Sequence, residues 1–185
     1  SHPDVPSNPQ QIALLIDQLT TIQDEHQRQR AAKQLGDIAS TRHPEAVQAL
    51  VNLLRTTQND ETLWSVVESL WRIDPGNSAA GVRRIKLIDW GMQIAGEAVA
   101  LAVALVPREN QNINVLLQVY PTGNNPYLPT HLTLVLLDRS GKTLREVTAR
   151  NTDVYIQLKL SGHPGEQFSV KITFGEASIT EDFSL

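Results

Sequence analysis

From residue 9 onward the apolar residues recur at helical spacing. Ile12, Leu15, Ile16 and Leu19 follow the i, i+3, i+4, i+7 rhythm of a helix with one buried face. The stretch Thr20-Thr21-Ile22-Gln23-Asp24-Glu25 breaks that rhythm and places Asp24 to cap a second helix, which buries Ala31, Ala32, Leu35 and Ile38. A shift of 35 positions repeats the pattern: Pro9 falls on Pro44, Leu15 on Leu50, Leu19 on Leu54, Leu35 on Leu70 and Ile38 on Ile73. Conservative pairs such as Ile12 with Val47 and Ala32 with Val67 fill the gaps. The second copy stops at Asp74-Pro75-Gly76-Asn77, a helix terminator followed by a turn. Residues 9–78 therefore predict a short α-solenoid of two helical hairpins, 9–43 and 44–78. Residues 1–8, with Pro3 and Pro6, read as a linker or tag remnant cut from something upstream.

Near Arg83 the period changes from about 3.6 to 2. Val99, Leu101, Val103 and Leu105 alternate with alanines, and Ile113, Val115, Leu117 and Val119 alternate mainly with polar residues. Further alternating runs cover 132–136, 144–149, 154–160, 168–174 and 177–183, separated by Gly, Pro and Asn. Short strands at such spacing predict an antiparallel immunoglobulin-like β-sandwich over 83–185. The fold class is thus α+β in two domains, with connectivity left open by spacing alone.

Composition narrows the function. The 185 residues are 41% hydrophobic, enough for packed cores, and contain no cysteine, which removes disulfides, thiolate metal sites and cysteine nucleophiles. The net charge of −4 lies in residues 1–82, which argues against a nucleic-acid arm in the helical half. No apolar run approaches the roughly 18–20 residues that span a bilayer. The expectation is a cytoplasmic protein with no cofactor, no metal, no nucleic acid and no membrane as partner.

The hairpins, with the ending Ile73-Asp74-Pro75-Gly76-Asn77, resemble HEAT-like repeats of the cyanobacterial type. That resemblance implies protein–protein scaffolding, often beside a signalling NTPase of the NACHT kind. The second half resembles the C-terminal part of DUF1822, a cyanobacterial family of unknown function. It does so in Gln118-Val119-Tyr120-Pro121-Thr122-Gly123, Tyr127-Leu128-Pro129, Leu137-Asp138-Arg139-Ser140-Gly141 and Ser161-Gly162-His163-Pro164-Gly165-Glu166-Gln167-Phe168. This second resemblance supplies no catalytic residues.

Candidate chemistry is sparse. Arg139-Ser140-Gly141-Lys142-Thr143 ends like a phosphate-binding loop, but Leu136 stands where that loop needs its first glycine, so a hairpin turn is expected. The five histidines lack helical zinc spacing, and His43 and His163 read as surface turn residues before proline. Glu181 and Asp182 fall on opposite faces of a strand and read as a solvated edge.

Aromatic residues carry more. Trp64 and Trp71 share a face of the fourth helix, where the first hairpin has Gln29 and Gly36. They either dock the hairpins onto the β domain or form a partner hot spot. The first reading is preferred, because two repeats are fewer than the roughly three usually needed for stability. Trp90 is assigned to the same junction. Tyr120 and Tyr127 flank a Pro-rich loop that fits either a recognition loop or a rigid crossover packed on the domain. A binding face is expected on the second helices of the hairpins, exposing Arg28, Lys33 and Trp64. The expected function is a non-catalytic protein–protein interaction or scaffolding module, the C-terminal portion of a larger cyanobacterial regulatory protein. It would bind a protein partner or upstream domains of its own chain. The alternative is a bilin-lyase-like repeat protein acting on phycobiliproteins.

Overall fold

The computed structural model describes residues 9–89 and 98–185, the side chains of 86–89 excepted. The chain divides into two compact units between Gly81 and Val82. The first holds α1 (Pro9–Thr21), α2 (Glu25–Ile38), α3 (Pro44–Thr56), α4 (Asp60–Ile73) and a 3-10 turn at Ser78–Ala80. Each helix of the second hairpin begins and ends 35 positions after its counterpart in the first, so the sequence repeat is a structural one.

Caps set the helix starts. The Asp24 carboxylate accepts from Gln27 N–H at 3.1 Å, and Asn59 Oδ1 accepts from Thr62 N–H at 3.0 Å. His43, expected to be a plain turn residue, caps α3 through Nδ1, which accepts from Ala46 N–H at 3.2 Å.

Within this unit α2 packs on α4 more extensively than any other helix pair. The reason is local: Gly36 presents no side chain, so Ser69 of α4 lies against the α2 backbone and donates its hydroxyl to Ala32 O at 2.9 Å. Polar ties close both ends of the contact. Thr62 donates to Glu25 Oε2 at 2.6 Å near the start of α2, and Arg72 pairs with Asp37 at 2.7 Å near its end.

The described residues of the second unit form eight strands: β1 (Val82–Asp89), β2 (Ala98–Pro107), β3 (Ile113–Pro121), β4 (Thr133–Asp138), β5 (Thr143–Thr148), β6 (Ile156–Gly162), β7 (Gln167–Phe174) and β8 (Ala177–Ser184). They form two antiparallel four-stranded sheets ordered β1-β2-β3-β6 and β5-β4-β7-β8. Alternate residues along the strands do the packing: Leu101, Val103, Val115 and Leu117 of one sheet share a core with Leu134, Leu136, Val170 and Ile172 of the other. The fold is therefore mixed α+β with a sandwich-like β part.

Three details depart from the sequence reading. β1 is not among the strands that the alternation predicts, and β6 begins at Ile156 instead of Val154. Ala100, Ala102 and Ala104 of β2 are buried as fully as the larger residues between them, so this strand is covered on both faces. The expected turn at 138–142 is present, with Gly141 at φ 90° and Asp138 accepting from Ser140 N–H, Ser140 Oγ–H and Lys142 N–H. These donors, Ser140 Oγ–H first and Lys142 N–H next, hold the Asp138 carboxyl below the usual carboxylate range.

Candidate functional site

The six residues singled out from sequence fall into two groups, four on the helical unit and two on the β unit. Lys33 is exposed on α2. Arg28 is not the exposed contact residue expected of it. Its guanidinium donates to Glu25 Oε1 at 2.6 Å and to Ile22 O at 2.5 Å, while Glu25 takes the Thr62 hydroxyl on its other oxygen. Arg28 thus ties α2 to its preceding loop and, through Glu25, to α4. Trp64 is also corrected: it is 2% exposed, with its indole N–H buried and without a partner among the described residues. Trp71 is half-buried, and Trp90 lies outside the described residues.

On the β unit the two longest described loops run from β3 to β4 and from β5 to β6, so antiparallel pairing brings them to the same end of the sheets. Their backbones are fastened together. Leu128 N–H donates to Asp153 O at 2.8 Å, His131 N–H to Ala149 O at 2.9 Å, and Ala149 N–H to Leu132 O at 2.7 Å. Thr130 Oγ–H adds a bond to Asn151 Oδ1 at 2.6 Å. Leu128 and Leu132 are buried in the shared core and anchor the longer loop from within. Asp153 closes the shorter loop: the Arg150 N–H donates to its carboxylate at 2.8 Å, and this bond first, then the Arg150 charge, lowers its pKa.

Among the polar residues that this fastened end shows to water, such as Asn124, Asn125, Arg150 and Asn151, stand three exposed apolar or aromatic side chains. Tyr127 is 43% exposed, Val154 50% and Tyr155 47%. Tyr120, at the end of β3, is half-buried. Two residues here hold backbone conformations that L side chains seldom adopt, His131 at φ 78° and β-branched Thr152 at φ 66°. Such strain costs about 1–3 kcal/mol and persists where surrounding structure over-determines the loop. Of this group sequence reasoning finds Tyr120 and Tyr127 and misses Val154 and Tyr155. Their apolar alternation runs unbroken into β6, and only the turn at Asn151-Thr152 hints that they precede the strand.

A concavity of about 390 Å³ on the β unit is lined by residues that include Arg139, Gln167, Ser169, Asp182, Phe183 and Ser184. Ser169 Oγ–H donates to Asp182 Oδ1 at 2.6 Å, but no histidine lines the hollow to take a proton from that hydroxyl. Among the described residues no group of three or more His, Asp or Glu side chains could hold a metal ion, and no helix is long and apolar enough to cross a membrane.

Comparison with known proteins gives little beyond a family. No curated protein matches the chain. One solved structure, an endonuclease/exonuclease/phosphatase from Beutenbergia cavernae DSM 12333, is similar at 17% identity over 56% of this chain and 28% of that one. Its TM-score of 0.32 bears on neither fold nor activity. The family model for DUF1822, a protein of unknown function, matches residues 7–184. The match takes in the helical hairpins as well as the two sheets, a wider extent than the second half to which the sequence resemblance is confined. The chain belongs to the DUF1822 family.

Proposed function

We propose that the chain is a non-catalytic protein–protein interaction module whose contact surface is the loop end of the β unit. The observation that carries this reading is the pairing of rigidity with apolar exposure. Two loops bonded to each other and anchored by buried leucines hold Tyr127, Val154 and Tyr155 in water. Aromatic side chains on a preorganised support lose little entropy on binding, which is why tyrosine-bearing loops on sandwiches serve as contact surfaces.

Two finer descriptions accompany the proposal. The helical unit is a HEAT-like solenoid pair, supported by the 35-residue correspondence of helix bounds and by the stacking of α2 on α4. The β unit is immunoglobulin-like, supported by its strand order. With β1 set aside, β2-β3-β6 faces β5-β4-β7-β8, and the chain crosses between sheets at β3–β4, β5–β6 and β6–β7 in Greek-key fashion. Both scaffolds are common in binding proteins, though a scaffold alone names no function.

The test is site-specific photo-crosslinking in the source cells, with the reactive residue at position 127 or, as a control, at exposed Leu144 on β5. A discrete crosslinked protein from position 127, absent from 144 and lost in a Tyr155→Ala background with unchanged circular dichroism, is the expected result. Equal products from both positions, or none from 127, would overturn the assignment.

A further inference from the structure

The 35-residue repeat sets up a comparison of charge, helix by helix. Along α1 and α3 none of the thirteen equivalent pairs joins opposite charges: Gln10 matches Glu45, Asp17 matches Asn52 and Thr20 matches Arg55. Along α2 and α4 the sign reverses. Lys33 matches Glu68 and Asp37 matches Arg72, while His26 matches Glu61 and Arg30 matches Ser65. Within each helix these four positions follow the i, i+4, i+7, i+11 spacing of a single stripe. All eight residues are exposed except Ser65, which is half-buried.

α2 and α4 run in the same direction and nearly level. The bonds Thr62 to Glu25, Ser69 to Ala32 and Arg72 to Asp37 join residues 37, 37 and 35 positions apart. Matching positions of the repeat therefore stand side by side to within about two residues, or about 3 Å of helix rise. At one step of the stripe the reversed charges meet within the chain, as the Arg72–Asp37 pair at 2.7 Å. Lys33 and Glu68 do not meet: neither has a hydrogen-bond or ion-pair partner among the described residues.

We infer that the exposed α2–α4 face is a self-complementary docking surface for a second copy of the chain. A two-fold axis between the copies, parallel to α2 and α4, sets α2 of one copy over α4 of the other in the same direction. Each position then faces its counterpart 35 residues on. Lys33 faces Glu68, Asp37 faces Arg72 and His26 faces Glu61, and every contact occurs twice. Charge also selects the axis. A two-fold axis across the middle of α2 would lay α2 antiparallel on α2 and bring Arg30 of one copy to Lys33 of the other, a like-charge contact. Ion pairs at such an exposed face are individually weak and screened by salt, so the association is reversible. This surface belongs to the helical unit and stands or falls independently of the loop surface proposed for the β unit.

The test is sedimentation equilibrium of the full chain at low ionic strength. A monomer–dimer equilibrium with a dissociation constant below about 1 mM is expected, weakened about tenfold or more in about 0.5 M salt. Lys33→Glu alone, or Glu68→Lys alone, puts like charges at two symmetric contacts and should weaken the dimer about tenfold or more. Mixing these two variants restores both contacts: the introduced glutamate of one chain faces the introduced lysine of the other, and the native Lys33 faces the native Glu68. The mixture should therefore associate about as tightly as the parent. A chain carrying both reversals should do the same, which keeps the test decisive even if a single variant folds poorly. A parent chain that stays monomeric, a dimer indifferent to both reversals, or a mixture and double variant no tighter than the single variants would overturn the inference, and the stripe would then meet an unlike partner or solvent alone.

Discussion

Replacing Gly36 by alanine tests the closest contact in the helical unit. The added Cβ would stand 2.4 Å from Ser69 Oγ and 2.5 Å from Ser69 Cβ, well inside contact distance. Ser69 is fully buried, and its Cβ is fixed to the α4 backbone, so no flexible tip can swing aside. Alanine is favoured over glycine in a helix by about 1 kcal/mol, which works toward stability. Against it stand about 1–3 kcal/mol for overpacking and about 1–3 kcal/mol if the Ser69 hydroxyl loses Ala32 O while buried. The steric and hydrogen-bond terms win, and the expected net loss is about 3 kcal/mol. Urea unfolding followed by helical circular dichroism measures it. At the roughly 1–3 kcal/mol/M slope of small proteins, the midpoint should fall by about 1–3 M. Ser69→Gly in the same chain restores the space, so the double variant should be more stable than the sum of the single effects by at least about 1 kcal/mol. A Gly36→Ala chain as stable as the parent, or strictly additive variants, would refute the close-contact argument.

Leu128→Ala removes the buried anchor of the β3–β4 loop and should cost the β unit about 2–5 kcal/mol, read as a lower unfolding midpoint together with faster amide exchange at Leu128 N–H. Thr62→Val leaves Glu25 Oε2 without its partner and should destabilise the helical unit by about 1–3 kcal/mol, whereas Thr62→Ser, which keeps the hydroxyl, retains most of that stability in the same unfolding assay. Asp138 and Asp153 have pKa values below those of the unfolded chain, so the stability they contribute is present above about pH 4 and is lost as pH falls through their folded pKa values. Asp138→Asn with Asp153→Asn should therefore flatten the acid limb of a stability–pH curve, and an unchanged limb would show that neither carboxylate matters to it.

The legible parts of the chain are those in which one residue reports one face. Ile12, Leu15 and Leu19 mark a buried helix side by spacing alone, and Leu134 and Leu136 mark a core-facing strand in the same way. β1 is illegible because basic residues stand at both odd and even positions, Arg83 and Arg84, so the alternation that identifies a strand is absent. Val154 and Tyr155 fail for the reverse reason, an apolar rhythm that continues past the strand into a loop. Arg28 is misplaced from sequence because its environment is not local. Glu25 lies one turn away, but the Thr62 hydroxyl that fixes Glu25 comes from 37 residues further on. His43 escapes notice as a cap because imidazole is an uncommon substitute for the Ser, Thr, Asp and Asn that normally serve there. Of the contact surface itself, Tyr127 is visible in the sequence, while the bonds fastening its loop to the 149–155 loop require the fold.

The repeat also explains why equivalent positions carry such different residues. Ala46, Ala49, Leu53, Thr62 and Ser69 are buried in the second hairpin, and their counterparts 35 positions earlier are Gln11, Leu14, Gln18, Gln27 and Gln34, none of them buried. Thr62 and Ser69 face α2 directly through their hydrogen bonds, so the buried set belongs to the side on which the second hairpin meets the first. The corresponding side of the first hairpin is dominated by glutamine, in keeping with its lack of burial. The opposite side follows the same logic. On α2 the positions turned toward α4 are Gln29, Ala32 and Gly36: Gln29 reaches Asn59, Ala32 accepts from Ser69, and Gly36 admits it. Thirty-five residues later these positions are Trp64, Val67 and Trp71, on the side of α4 turned away from α2. Small residues thus mark a side that a neighbouring helix approaches to within backbone contact. Tryptophans stand instead on the other side of α4, where Trp64 is buried and Trp71 half-buried.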